Sequence, residues 1–263
     1  AQTGVVYIAS NNIPDPAVNM QITLVSGGNL MPTFVLGRDD ANAKQWLQDV
    51  AQAVSKNTSP YAELVGKRMI ITLPIHELKG NVTDPVAILN SWDKIIDWAE
   101  TQYGLTQNGP YPNIATAVRY HFFTKADSTG GYMSSSNEWI ATNQDGIKDI
   151  TDNINISWGP WHELGHQYEV LAFQTKSEVL ENLTSLYVQR EQGQTSRLLT
   201  DNCWQRTRDY LKQSGNNYDA EDDLWISVTM FWQLDLTFGK DFYQRLTDNI
   251  RMMPISELPE INE

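Results

Sequence analysis

Trp158-Gly159-Pro160-Trp161-His162-Glu163-Leu164-Gly165-His166 is the stretch on which the reading of this chain turns. It contains H-E-x-x-H, and Gly159-Pro160 reads as a helix start, with Gly159 at the N-cap and Pro160 at the first helical position. Four residues along a helix is a rotation of about 400°, so His162 and His166 stand on one face, roughly 5–6 Å apart at Cβ. That spacing suits two ligands on one zinc ion at ~2.0–2.1 Å each. Glu163 lies about 100° round from His162, beside a metal rather than on it. There it can take a proton from zinc-bound water and pass it to a leaving amine. The plain alternative, two packed histidines and a surface glutamate, is disfavoured by the helical setting and by the carboxylates downstream. His76-Glu77-Leu78-Lys79-Gly80 carries only the first half of the motif, with Gly80 where a second histidine is needed.

A catalytic zinc needs a third protein ligand and an open position. Glu169 and Ala172 occupy the places where a metzincin carries Gly and His, which excludes that class. The candidates are Glu169, Glu178 and Glu181. Glu169, on the same helix, sits ~4.5 Å further along the axis than His166, too far to close a tetrahedron easily, and reads as an outer or surface group. Glu178 and Glu181 fall on a following helix that can cross the first after Gln174-Thr175-Lys176. Glu178 is the favoured ligand, because Asn182, one turn on, can orient a zinc histidine. Asn182 and Glu181 are then the groups expected behind the ligands.

Outward from this motif the chain divides by character. Before Trp158 it mixes strand and helix. Val5–Ala9, Gln21–Val25 and Thr33–Leu36 are β-prone runs, Arg68–Pro74 reads as a buried strand, and Ile114–Phe123 as another. A helix after Asp39 or Asp40 carries the stripe Ala43, Trp46, Leu47, Val50 and Val54. A second, capped by Asp84 with Pro85 at its first position, carries Ile88, Leu89, Trp92, Ile95, Ile96, Ala99 and Tyr103 and stops at Gly104. From Trp158 onward the pattern is nearly all helical, at roughly 160–174, 177–192, 196–213, 221–238 and 241–250. The expected class is α+β: an N-terminal mixed α/β subdomain (1–157) with a twisted sheet and a mostly helical subdomain (158–263). Together they form one catalytic domain with the active site between them.

Composition narrows the partners. The 263 residues carry 19 Lys and Arg against 32 Asp and Glu, a net charge of −13. Nucleic acid and anionic membrane surfaces both call for basic patches, so neither is an expected partner. No run approaches the ~20 apolar residues of a membrane-spanning helix, so no direct membrane insertion is expected. The single cysteine, Cys203, permits neither an internal disulfide nor a cysteine-based zinc site. The 9 Trp and 11 Tyr invite a sugar-stacking reading. Trp46 and Trp92 fall on apolar helix stripes and Trp225 and Trp232 on a third, which assigns them to the core. Trp158 and Trp161 flank the motif, as subsite walls or as helix-start packing, and Trp139 is a candidate substrate contact. His121 reads as a hydrogen-bonded strand histidine. Tyr132, Tyr168 and Tyr187 are open choices for an oxyanion donor.

The segment WGPWHELGHQYE followed by SEVLENLTSLYVQ resembles the enhancin-like, mucin-degrading zinc metallopeptidases, peptidase family M sixty, of gluzincin type. PTFVLGR at 32–38, PYAELVGKRMIITLP at 60–74 and GGYM at 130–133 extend the similarity over most of the chain. The resemblance implies zinc held by His162, His166 and Glu178, with Glu163 catalytic. It also implies a zincin-like fold whose sheet edge, placed here at Gly131, Tyr132 and Met133, pairs with substrate. The activity implied is hydrolysis of peptide bonds in O-glycosylated proteins such as mucins. The setting would be a secreted or cell-surface bacterial protein, acting as a monomer. The alternative is a glycan- or mucin-binding module that keeps the fold without catalysis. Glu181 departs from the pattern, standing where the family commonly has an amide.

Overall fold

The apolar run Met69–Pro74 lies inside a six-stranded sheet. The computed structural model describes residues 27–124, 131–137, 139–169, 178–218 and 221–257, with Val5 and Thr23. The β-prone runs at 5–9 and 21–25, and the turn at 174–176, otherwise lie outside the described residues. The strands are β1 (Thr33–Val35), β2 (Tyr61–Val65), β3 (Met69–Pro74), β4 (Tyr120–Thr124), β5 (Met133–Ser136) and β6 (Trp139–Thr142), in the order β1-β2-β3-β4-β6-β5. β1 with β2, β3 with β4 and β4 with β6 are parallel, while β2 with β3 and β5 with β6 are antiparallel. Met69, Ile71 and Leu73 have no exposed surface, as expected of a strand flanked on both sides.

The nine helices described are α1 (Ala43–Lys56), α2 (Ile75–Asn81), α3 (Pro85–Gln102), α4 (Trp158–Gly165), α5 (Glu181–Glu191), α6 (Arg197–Thr200), α7 (Cys203–Leu211), α8 (Leu224–Phe238) and α9 (Phe242–Met252). α3 follows its sequence signals closely. Asp84 accepts from the Ala87 amide at 3.0 Å, Pro85 opens the helix, and Gly104 turns out of it at φ +70°. Its buried face, Ile88 to Ala99, packs on the sheet, and the Trp92 indole donates to the Ile150 carbonyl at 2.9 Å. Buried carboxylates at the flank of that face tie down the turn before β3. Asp93 accepts from the Arg68 amide at 2.9 Å, and Glu100 pairs with the Arg68 guanidinium through two bonds.

Several expected boundaries move. The strand expected over Ile114–Phe123 is confined to β4, with Ile114 in an isolated bridge to Thr106. The helix expected over 196–213 is two, α6 and α7, because Asn202 takes a left-handed conformation at φ +56° between them. Asp39 and Asp40 do not cap α1. They accept from the Val35 and Gly37 amides and form the turn that leads into it.

Two apolar clusters organise the interior. One joins the sheet, α1 to α3, and Trp161, Leu164 and Tyr168 around α4. The other joins α5 to α9 through Leu183, Leu186, Leu198, Cys203, Val228, Trp232 and Tyr243. The H-E-x-x-H helix is thus rooted in the sheet-side core, and α5, which faces it, is rooted in the helical one.

Candidate metal centre

Ser157, not Gly159, precedes the first turn of α4, so Pro160 falls third in the helix. That position is tolerant, because the first four helical amides have no acceptor within the helix. α4 is shorter than the expected 160–174. It tightens into one 3₁₀ turn over His166–Tyr168, and Glu169 leaves the helix at ψ +128°. Residues 170–177 lie outside the described residues. Gly165 sets the depth of contact with α5: a Cβ there would come within 2.8 Å of the Glu181 Cα and carbonyl oxygen. Any side chain would hold the two segments apart.

Glu178 does not lie within the first turn of a helix, as its spacing predicts. It stands before α5, in a turn, with φ +67°. A left-handed non-glycine residue costs about 1–2 kcal/mol. The Asn182 side chain offsets this by donating from Nδ2 to the Glu178 carbonyl at 2.7 Å. The Glu178 carboxylate is 71 % exposed and reaches both histidines, with Oε2 3.1 Å from His162 Nε2 and Oε1 3.7 Å from His166 Nε2. Two ligands at ~2.0–2.1 Å from a tetrahedral zinc are roughly 3.3–3.4 Å apart, which these separations bracket. The donor set of two imidazoles and a carboxylate therefore fits a zinc ion, and among the described residues no fourth ligand joins this set.

The opposite edge of each imidazole is also engaged. His162 Nδ1 lies 3.2 Å from Asn182 Oδ1, and His166 Nδ1 lies 2.6 Å from Glu169 Oε1. Each Nδ1–H is thereby donated away and each Nε2 lone pair is left toward Glu178. Burial and the neighbouring His166 hold the pKa of His162 below its ordinary value, favouring the neutral, ligating form. Glu181 is buried 3.6 Å from His166 Nδ1. Burial, reinforced by Glu169, pushes its pKa up to about 9, so it stays protonated beside its neighbour. Glu163 is 8 % exposed and one position after His162.

The sheet edge runs along this helix. A Cβ on Gly159 would lie 3.2 Å from Met133 Sδ and 3.9 Å from Tyr132 Cε1, at the start of β5. At the other end, Gln167 Nε2 donates to the Ser135 hydroxyl and, at 3.0 Å, to the Ser136 carbonyl. The Asn143 amide bonds the Tyr132 carbonyl. By strand alternation, Met133 and Ser135 therefore turn their N–H and C=O groups outward from β6.

The remaining candidates are placed as follows. Tyr132 donates to Asp149, Tyr168 is stacked on Tyr103 in the core, and Tyr187 is buried with Arg190 over its ring. Gly131 turns into the edge strand at φ +80°. Trp139 belongs to β6, not the edge, and packs on Phe123. His121 bonds Thr72 Oγ1 at 2.9 Å within the sheet, and His76 is exposed on α2. Sequence reasoning passes over Gln167, whose position beside a ligand is the available signal. It leaves Glu169 without a definite role, although the i, i+3 spacing from His166 brings it onto that imidazole.

A mixed sheet whose edge lies along an H-E-x-x-H helix, with a glutamate facing both imidazoles, defines the metallopeptidase class. Within it, the chain belongs to the peptidase M60, enhancin and enhancin-like family, whose model matches residues 27–260. It is 25 % identical to a TRPM8 channel-associated factor homolog of Xenopus laevis, over 84 % of this chain and 24 % of that protein. Among solved structures it resembles a functionally unknown conserved protein from Bacillus anthracis str. Ames, with TM-score 0.80 and 26 % identity over 89 % of this chain and 48 % of that one. It also shares the fold of the M60 catalytic domain of Clostridium perfringens ZmpC, solved in complex with sialyl T antigen. That likeness has TM-score 0.70 and 22 % identity over 85 % of this chain and 46 % of the other. The chain thus spans about a quarter of its curated relatives and about half of these structures.

Proposed function

We propose that this protein is a zinc-dependent endopeptidase acting outside the cell on O-glycosylated proteins such as mucins. The observation that carries the reading is the convergence of His162 Nε2, His166 Nε2 and the Glu178 carboxylate at the spacing of ligands on one ion, with Glu163 next to His162 in the chain. Zinc held there supplies Lewis acidity toward a carbonyl oxygen. The chain's own groups do the rest. Glu163 removes a proton from the attacking water and returns it to the departing amine. Asn182 and Glu169 keep the imidazoles in the ligating tautomer. The outward amides and carbonyls of Met133 and Ser135 align an extended peptide along the edge of β5. Family membership and the glycan held by the ZmpC domain support a glycoprotein substrate.

The name of the Xenopus laevis relative, a channel-associated factor, favours a second reading in which the domain binds without cutting. The two are separated by incubating zinc-loaded protein with a mucin and with its deglycosylated form, alongside Glu163→Gln. The expected result is cleavage of the glycosylated form alone, lost in Glu163→Gln. Zinc binding with no cleavage would establish the binding reading, and cleavage surviving Glu163→Gln would overturn the assigned mechanism.

A further inference from the structure

Asn182 has a third partner that constrains the other two. Trp158 Nε1 lies 2.8 Å from Asn182 Oδ1, and an indole nitrogen can only donate. The amide oxygen must therefore face Trp158, which leaves Nδ2 for the Glu178 carbonyl at 2.7 Å. Turning the amide over would set NH₂ against the indole N–H and oxygen against the carbonyl, losing both bonds. With the oxygen so fixed, the His162 Nδ1 at 3.2 Å must carry its hydrogen, and Nε2 keeps its lone pair on the side of Glu178. The amide that makes these bonds is enclosed, Asn182 being 2 % exposed. Trp158 is itself held from outside. The Arg197 guanidinium sits 4.9 Å from its ring and 4.5 Å from that of Trp225, and the two indoles meet edge to face at 5.6 Å.

We propose that Trp158 is a positioning residue for the metal: its indole N–H orients the Asn182 amide, which sets both the His162 tautomer and the backbone of Glu178. The inference rests on the reading that zinc is held by His162, His166 and Glu178. It gives Trp158 a role other than a sugar-stacking wall, because the atom that matters is its N–H and not its ring face.

The test measures zinc affinity of the whole chain by competition with a chromophoric chelator, and the His162 tautomer from ¹⁵N imidazole spectra of the metal-free protein. Trp158→Phe keeps a ring beside Arg197 and removes the donor. It should weaken zinc binding about tenfold or more and turn a single Nδ1–H tautomer into a mixture. Trp225→Phe disturbs the same stack without touching that donor and should bind zinc as the wild type does. If Trp158→Phe does not fold, benzothienylalanine at position 158 replaces the N–H by sulfur in a ring of similar shape, and the same result is expected. Zinc affinity within about twofold of wild type, with an unchanged tautomer, overturns the inference while leaving the metal site standing. A wild-type chain that binds no zinc overturns the proposed function and this inference together.

Discussion

His166 Nδ1 lies 2.6 Å from Glu169 Oε1, so the second histidine of the motif is oriented by a carboxylate three residues further along the chain. A carboxylate acceptor on Nδ1–H fixes the ring and its tautomer, leaving the Nε2 lone pair free to bind a metal. Glu169→Ala should therefore weaken zinc binding by roughly 10–100-fold, and Glu169→Gln, which keeps an acceptor oxygen, by less. Chelator competition at fixed pH checks both. Equal affinities for all three proteins would mean that the contact does not act on the ligand.

The glycine inside the motif is a packing requirement. A methyl group on Gly165 would meet the Glu181 backbone at 2.8 Å, and backbone cannot swing aside as a flexible side chain can. Gly165→Ala should cost at least about 1–3 kcal/mol and displace Glu178 from the histidines, so that zinc affinity falls with the melting temperature. Gly80, in α2, has nothing within 4 Å of the point where a methyl group would stand. Gly80→Ala should be neutral or stabilising by up to about 1 kcal/mol. Thermal melts of the pair separate crowding from helix propensity.

The contrast between α3 and Glu178 shows what is legible in the sequence. α3 is local: Asp84, Pro85, the apolar spacing and Gly104 each act within a turn of their own position, so start, face and end are all readable. β3 is readable because a short apolar run with a sheet neighbour on each side has few other places to go. Glu178 can be chosen as a ligand from the residues, yet its placement in a helix is not correct. Its left-handed backbone depends on an amide four residues on, and Asn182 is itself held by residues from α4. β6 escapes the sequence for a similar reason, since Trp139–Thr142 is a strand only by pairing with β4 and β5. The candidate metal ligands, and Asn182 behind them, can be read from residue type and spacing; the contacts of Glu169 and Trp158 need the fold.

Glu181 gives a pH dependence with a definite sign in the metal-free protein. Its pKa is raised by burial and by Glu169 to about 9 in the fold, against 4.5 as its reference value. Between those values the native state holds a proton that the unfolded chain has released. Stability is therefore greatest below about pH 4.5 as far as this group is concerned, and falls as pH rises toward 9. Glu181→Gln carries no such proton and should flatten that part of the profile. It should gain on the wild type by an amount on the order of a few kcal/mol at the alkaline end. Urea midpoints of the two metal-free proteins at pH values across this window measure the difference, and parallel profiles would refute it.

Gln167, next to His166 in the chain, couples the metal helix to the sheet edge. Its Nε2 donates to the Ser135 hydroxyl and to the Ser136 carbonyl at 3.0 Å. Among the described residues the edge strand has β6 on one side only, so removing these bonds leaves the β5–β6 hairpin to its own ladder. Losing one or two hydrogen bonds of about 0.5–1.5 kcal/mol each should speed local opening roughly 2- to 100-fold. Gln167→Ala is therefore expected to raise hydrogen exchange at the Ser134 and Ser136 amides, which face β6, and to leave zinc affinity unchanged. Cleavage of a peptide aligned along that edge should suffer mainly in KM, because the strand that orders the substrate is looser while the metal and Glu163 are undisturbed. Gln167→Glu tests the direction of the bond. A carboxylate can accept from the Ser135 hydroxyl but can only repel the Ser136 carbonyl, so exchange should fall between wild type and Gln167→Ala. Exchange at Ser134 and Ser136 unchanged in both variants would show that β6 alone holds the edge in place.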